Sequence, residues 1–389
     1  MTGTLYISKG KYYVNVYNRH SGKCECLPTG IPAVKGRKRE AEAKQRELVD
    51  AFEKRMHLKS DYSTVWEYIE HWVSEREADV RRGYLDVVTY DGYRVNIERH
   101  ILPYFKERNI MLKTIGRKDI QDFVDYMSEN GRLDGKGGLS PKTIHEFKME
   151  LRMIFAMAID EQYMYQNPCD FKIKMPKQQK KEKEVYTEEE AKAFFEAIKD
   201  DRLFPLLLFI LITGMRKSEA LGLRWQSVDF QRGTLTVEHT IVQSDSGIHQ
   251  KNSTKNESSH RTYIMSDEIM RILQKMKADE EKHRELFGTE YNENDYVFKW
   301  ESGTPYRPDF ITYRLAKLQK DNNMKHVCVH GLRHSCATIL HEKGYSLKDI
   351  SAYLGHKDIQ TTSNIYTHLT NQKRKVISTG MSEAFSDMV

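Results

Sequence analysis

The sequence predicts a multidomain α+β protein in three parts. These are a small three-stranded β-sheet with one helix, an all-α helical bundle, and a larger, mainly α domain with a small antiparallel β-sheet. Three observations carry this. The first thirty residues alternate apolar and polar side chains between turn formers. Residues from about 60 to 170, and most of 187–389, repeat apolar positions with helical period. Between those regions lies a lysine-rich stretch with no apolar periodicity, expected as a basic linker over 171–186. The expected domains are therefore 1–58, 59–170 and 187–389, and 389 residues suffice for a core in each.

In the first part, TLYISK, KYYVNVY and GKCECLPTG, within residues 4–30, read as strands, with Gly10, Asn18 and Gly22 supplying turns. From about Gly36 to Arg55 the pattern turns helical, with Ala41, Leu48, Val49 and Phe52 as its apolar stripe. Lys9, Lys11, Arg19, Arg37, Lys38 and Arg39 make this part basic and are its candidate contacts to a polyanion.

In the second part, Ser63 or Thr64 caps a helix carrying Trp66, Ile69 and Trp72. Another helix begins near Val88 and ends before Pro103, and a third covers Arg117 to Asn130. After a loop from Gly131 to Gly138, Ser140-Pro141 opens a long helix through Ala158. Lys177, Lys180 and Lys181 of the linker are suited to following a phosphate backbone.

The third part opens with a capping box, Thr187 to Glu190, and a greasy helix at 203–212. Strands are expected at about 233–243 and 259–265. The ten-residue apolar run Leu203–Ile212 is about half of the roughly 20 residues a membrane span requires, so it reads as a buried helix. The N-terminus lacks a basic region followed by an apolar core, so no secretory signal is expected. Five cysteines are few and odd in number, which argues against a disulfide framework and for a reducing cytoplasm. A net charge of +6 suits a polyanionic partner without requiring one.

Five places in the third part carry chemistry. In TGMRKSEALGLRW, residues 213–225, Arg216 follows a Thr-Gly break after the greasy helix, and Glu219 one turn on can hold it. In STKNESSHRTYIM, residues 253–265, Lys255 falls at the turn of an expected hairpin, with Lys251 nearby. In VHGLRHSCATIL, residues 329–340, His330 and Arg333 are spaced i, i+3 at a helix start. In SLKDISAYLGHKDIQTT, Ser346 caps a helix that Gly355 ends, and His356 follows it. Tyr366 comes in the polar stretch NIYTHL.

Taken together, Arg216, Lys255, His330-x-x-Arg333, His356 and Tyr366, with their flanks TG-M-R-x-x-E-x-L-x-L-x-W, H-G-L-R-H and L-G-H, resemble the catalytic set of the tyrosine recombinase (phage integrase) family. The match covers the last domain, with no catalytic position substituted. The bundle is similar to the family's helical core-binding domain. The N-terminal part looks like the three-stranded arm-site-binding domain of conjugative-transposon integrases.

The resemblance implies that Tyr366 attacks a DNA phosphate to give a 3′-phosphotyrosine and a free 5′ hydroxyl. Arg216 and Arg333 would clamp the non-bridging oxygens, with Glu219 supporting and His356 adding a hydrogen bond. His330 would assist proton loss from Tyr366, and Lys255 would protonate the leaving oxygen. Neither a metal nor another cofactor is implied. The implied partners are double-stranded DNA at core-type and arm-type sites and three further copies in a homotetramer. An excisionase and a host DNA-bending protein are further candidates, and no membrane is expected. The implied place of action is the nucleoid of a bacterial cytoplasm. Three other readings compete: a topoisomerase with a similar constellation, a catalytically silent DNA-binding regulator, and a metalloenzyme using Cys328, His330 and His334. The last lacks the glutamate base of a zinc-protease motif.

Overall fold

The computed structural model describes residues 3–18, 23–56, 58–59, 61–177, 184–252 and 261–355. The chain divides between Gln179 and Lys180 into two compact units.

In the first unit, β1 (Thr4–Ser8), β2 (Lys11–Asn18) and β3 (Lys23–Pro32) form an antiparallel sheet in that order. Strand alternation puts Tyr12, Val14, Val16 and Ile31 on one face. There they bury against Ala41 and Phe52 of α1 (Lys38–Met56), so the helix supplies the core the sheet lacks alone. Both Lys9 (φ 46°) and Gly10 (φ 73°) adopt positive φ, the backbone a two-residue hairpin needs to match strand twist. Tyr6 and Tyr13, directly paired across β1 and β2, stack at 5.8 Å.

The bundle follows. Thr64 caps α2 (Val65–Arg81), and Glu67 accepts from the backbone of both Ser63 and Thr64. The buried stripe of α2 is Val65, Tyr68, Ile69 and Trp72. Trp66, expected on that stripe, lies at its edge, where Nε1 donates to Asn109 and Lys106 sits over the ring. The difference is one of phase, because i, i+3, i+4, i+7 counted from Val65 leaves Trp66 about 100° away.

A larger correction concerns Pro103. The helix expected to end before it continues: α3 (Val87–Asn96) passes through a π-turn, Ile97–Ile101, into α4 (Leu102–Arg108). Leu102 N–H donates to the carbonyl of Ile97, one residue wider than an α-helical bond. The widened turn accommodates a proline ring that would otherwise press on the preceding turn. Helices α5 (Arg117–Asn130) and α6 (Pro141–Asp160) complete a core rich in Phe105, Phe123, Phe147 and Phe155.

Ile173 and Met175 pack against this core, and the Gln121 side chain brackets the Lys174 backbone with bonds of 2.8 and 3.1 Å. Tyr186 is buried in the second unit. The segment expected as a linker is thus anchored at both ends. Lys177 is exposed, and Lys180 and Lys181 lie outside the described residues.

The second unit packs α7 (Glu188–Ala197), α8 (Phe204–Thr213), α9 (Lys217–Leu221), α10 (Asp267–Phe287), α11 (Pro308–Asp321), α12 (Val329–Glu342) and α13 (Leu347–Leu354) with two small sheets. The single strand expected at 233–243 is two strands that part at Glu238. Thr234–Val237 (β5) lies between Val228–Asp229 (β4) and Arg261–Ile264 (β8), whereas His239–Ser244 (β6) pairs with Gly247–Asn252 (β7). Lys251 therefore sits on β7 opposite Thr240, while Lys255 falls outside the described residues. Among the described residues no helix is long and apolar enough to cross a membrane.

Candidate active site

Helix α8, FPLLLFILIT, is apolar nearly all round and is buried, so its end is fixed inside the domain. Gly214 closes it in the left-handed conformation (φ 62°) and turns the chain toward α9. Arg216 occupies the N-cap of α9, its backbone N–H donating to Glu219 Oε2 at 2.9 Å. Its side chain bends back on the same carboxylate, with Nη1 to Oε1 at 2.7 Å, yet stays 42% exposed. A rigid apolar helix thus presents a half-exposed guanidinium.

Glu219 is buried, and a second arginine shares it. Arg261, the first residue of β8, donates from Nη1 to Oε1 at 3.1 Å and from Nη2 to Oε2 at 2.6 Å. Arg261 Nε donates in turn to the Tyr263 hydroxyl at 2.8 Å. Burial works to raise the Glu219 carboxyl, but the hydrogen bond and charge of Arg261, with those of Arg216, outweigh it and hold the group below its ordinary range.

Arg333, one turn into α12, is 1% exposed. Its Nη1 donates to the carbonyl of Gly214 at 2.6 Å and its Nη2 to that of Leu354 at 2.8 Å, joining the ends of α8 and α13. Its Nε is buried without a hydrogen-bond partner among the described residues. Burial, then the nearby Arg216 charge, lowers Arg333 to about 10, which leaves it cationic at neutral pH. Three guanidiniums around one carboxylate leave this cluster net positive, as an anion site requires.

His330 is exposed on the first turn of α12, its ring set perpendicular to that of His334 at 4.5 Å. Cys328 caps the same helix, its Sγ accepting from Gly331 N–H at 3.3 Å. Beneath, Cys336, Ala337, Ile350 and Leu354 form a small core between α12 and α13. Burial pushes the Cys336 thiol up to about 12, so it packs as an inert group.

The structure thus brings Arg216, Glu219 and Arg333 together, with His330 on the same helix as Arg333. Lys255, His356 and Tyr366 lie outside the described residues. Arg261 was not singled out from sequence. Its only signal there is an arginine opening an expected strand, and its partner Glu219 is too distant in the chain for any spacing rule to connect them.

Of the basic residues near the N-terminus, Lys9, Lys11 and Arg39 are exposed. Arg37 makes a two-pronged pair with Glu40 at 2.8 and 2.7 Å, and Lys38 lies 3.9 Å from Glu42. Such exposed pairs are weak and exchangeable. Arg19 lies outside the described residues.

Comparison with known proteins agrees in two places along the chain. Residues 184–373 match the phage integrase family, and residues 64–128 match the N-terminal SAM-like domain of phage integrases. The chain is 30% identical to the tyrosine recombinase XerC-like protein of Caldanaerobacter subterraneus subsp. tengcongensis, over 88% of this chain and 89% of that one. It is 29% identical to the ICEBs1 integrase of Bacillus subtilis, over 74% and 75% of the two chains. In fold it is similar to the Tn1549 transposon integrase, solved in complex with a circular intermediate DNA, with a TM-score of 0.64. That match has 21% identity and covers 81% of this chain and 99% of the other.

Proposed function

Because this chain belongs to the phage integrase family of tyrosine recombinases, we propose that Tyr366 cuts a DNA strand and that Arg216 and Arg333 hold the phosphate it attacks. The protein is a tyrosine-type site-specific recombinase, an integrase of conjugative-transposon type. One observation supports this assignment of residues above the others. Two arginines delivered by different helices converge with a buried carboxylate and a net positive charge, and one of them keeps a buried N–H that is unbonded among the described residues.

In the proposed step, the Tyr366 oxygen forms a bond to phosphorus as the bond to the 5′ oxygen breaks. The tyrosine proton passes to His330, since a free phenol near pKa 10 ionises too little at neutral pH. The leaving 5′ oxygen takes a proton from Lys255. Charge building on the non-bridging oxygens meets Arg216, Arg333 and His356. The phosphotyrosine conserves the bond energy, and the 5′ hydroxyl of a second strand reverses the step.

Each chain carries one Tyr366, and exchange between two duplexes cuts four strands, so the working assembly is a homotetramer on DNA. Residues 59–170 would hold core-type DNA and 187–389 would perform the chemistry. Residues 1–58 would take arm-type sites through Lys9, Lys11, Arg19, Arg37, Lys38 and Arg39, with Lys177, Lys180 and Lys181 following the backbone between. An excisionase and a host DNA-bending protein would assist in the nucleoid. The test is recombination between two supercoiled sites carrying element ends. Recombinant product is expected, while relaxation of either plasmid without exchange would support the topoisomerase reading instead.

A further inference from the structure

Arg261 lies where the pieces of the proposed active site meet. Its guanidinium grips both oxygens of Glu219, at 3.1 and 2.6 Å. Each of those oxygens also receives one bond from Arg216, Oε1 from Nη1 and Oε2 from the backbone N–H. The carboxylate therefore has four donors on two oxygens, and its plane is set by the planar fork of Arg261. Arg261 in turn is fixed from both sides. Its Nε donates to Tyr263, whose ring meets that of Tyr353 on α13 edge to face at 5.6 Å. Its stem runs under Gly355, where an added Cβ would come within 2.8 Å of Cδ and 2.9 Å of Nε.

This arrangement has an electrostatic consequence. A carboxylate paired with Arg216 alone would cancel much of the charge that a phosphate needs. Shared with a second guanidinium, the same carboxylate can orient Arg216 without neutralising the cluster. The side chain of Arg261 is 12% exposed against 42% for Arg216, so Arg261 serves the carboxylate and Arg216 faces outward.

We propose that Arg261 is a positioning residue for strand cleavage, which locks Glu219 so that Arg216 is held ready for the scissile phosphate with its charge intact. This rests on the assignment of Arg216 to that phosphate. It predicts an effect on the chemical step rather than on DNA affinity, because the Arg261 side chain is largely buried and its guanidinium is spent on Glu219 and Tyr263.

The experiment is single-turnover cleavage of a duplex bearing a cognate core site, at saturating full-length protein, with the duplex Kd measured separately. Wild type and Tyr366→Phe define the signal. Arg261→Met is expected to slow cleavage about 100-fold, the scale of losing one preorganised donor, with Kd moving by less than about threefold. Arg261→Lys keeps the charge but loses the fork and should recover only about tenfold of that loss. If Arg261 acts through Arg216, adding Arg261→Met to Arg216→Lys should cost much less than it does alone. Cleavage unchanged in Arg261→Met, a loss confined to Kd, or full additivity with Arg216→Lys would each overturn the proposal. Should Arg261→Met not fold, Arg261→Lys decides, since wild-type cleavage by that variant overturns the need for the fork. Failure of wild type itself to cleave would overturn the cleavage reading and this inference with it, an outcome separated from the others by the Tyr366→Phe control.

Discussion

Arg333 donates from Nη1 to the carbonyl oxygen of Gly214 at 2.6 Å. The bond ties the most deeply buried arginine of the site to the bend that delivers Arg216, so the two guanidiniums are positioned by one joint. Gly214 is required there twice over. Its φ of 62° is left-handed, and an added Cβ would lie 2.2 Å from Leu354 Cδ2 and 3.3 Å from Cys336 Sγ. Gly214→Ala should therefore destabilise the second unit by about 2–5 kcal/mol, summing the left-handed penalty and overpacking. Calorimetry would read this as a clear drop in Tm, and an unchanged Tm would contradict it.

Arg333→Lys retains a cation but not a fork able to bridge Gly214 and Leu354 while offering a third N–H. Cleavage should fall by at least about 100-fold. Affinity for duplex should change little by comparison, because that affinity is spread over many phosphate contacts. Single-turnover cleavage beside a binding titration separates the two.

Glu219 is expected to make the second unit sensitive to acid. Its folded pKa lies below the unfolded value, so its contribution is present above about pH 4.3 and is lost as pH falls through the folded value. Glu219→Gln leaves Arg261 buried without its counter-charge and should cost about 3–5 kcal/mol at pH 7. The gap between variant and wild type should narrow in urea melts taken below pH 4.3. A gap independent of pH would refute the assignment.

Glu150 predicts the opposite sign in the bundle. It is buried, bonded to Asn96 through Oε1 at 2.7 Å, and its Oε2 has no hydrogen-bond partner among the described residues. Burial raises its carboxyl to about 7, against which the Asn96 bond works only partly. The native state then holds a proton that the unfolded chain releases, so stability is highest below the unfolded pKa and falls as pH rises toward 7. Glu150→Gln should raise Tm at pH 8 and have little effect near pH 4. Equal shifts at both pH values would show that the carboxyl ionises freely in the fold.

The parts of this fold that were legible in the sequence are those set by local pattern. The sheet–helix alternation before Met56, the Thr187 and Ser346 caps and the buried α8 all follow from spacing and cap chemistry. The missed features depend on geometry that residue spacing does not encode. Pro103 stays within a helix because a π-turn precedes it, and no residue type announces such a turn. Glu238 separates two strands that belong to different sheets, β5 between β4 and β8 and β6 in a hairpin with β7, so a run of β-formers read as one. The same holds at the site. Arg216, Glu219 and the His330–Arg333 pair show in short-range spacing, while Arg261 becomes visible only when β8 is folded against α9.

The most direct test of the central claim is to trap wild-type protein on a cognate duplex in EDTA, denature, digest, and locate the nucleotide by mass spectrometry. A 3′-phosphodiester is expected on the peptide containing Tyr366, absent from Tyr366→Phe. The same adduct on another residue, or an undiminished adduct in Tyr366→Phe, would contradict it.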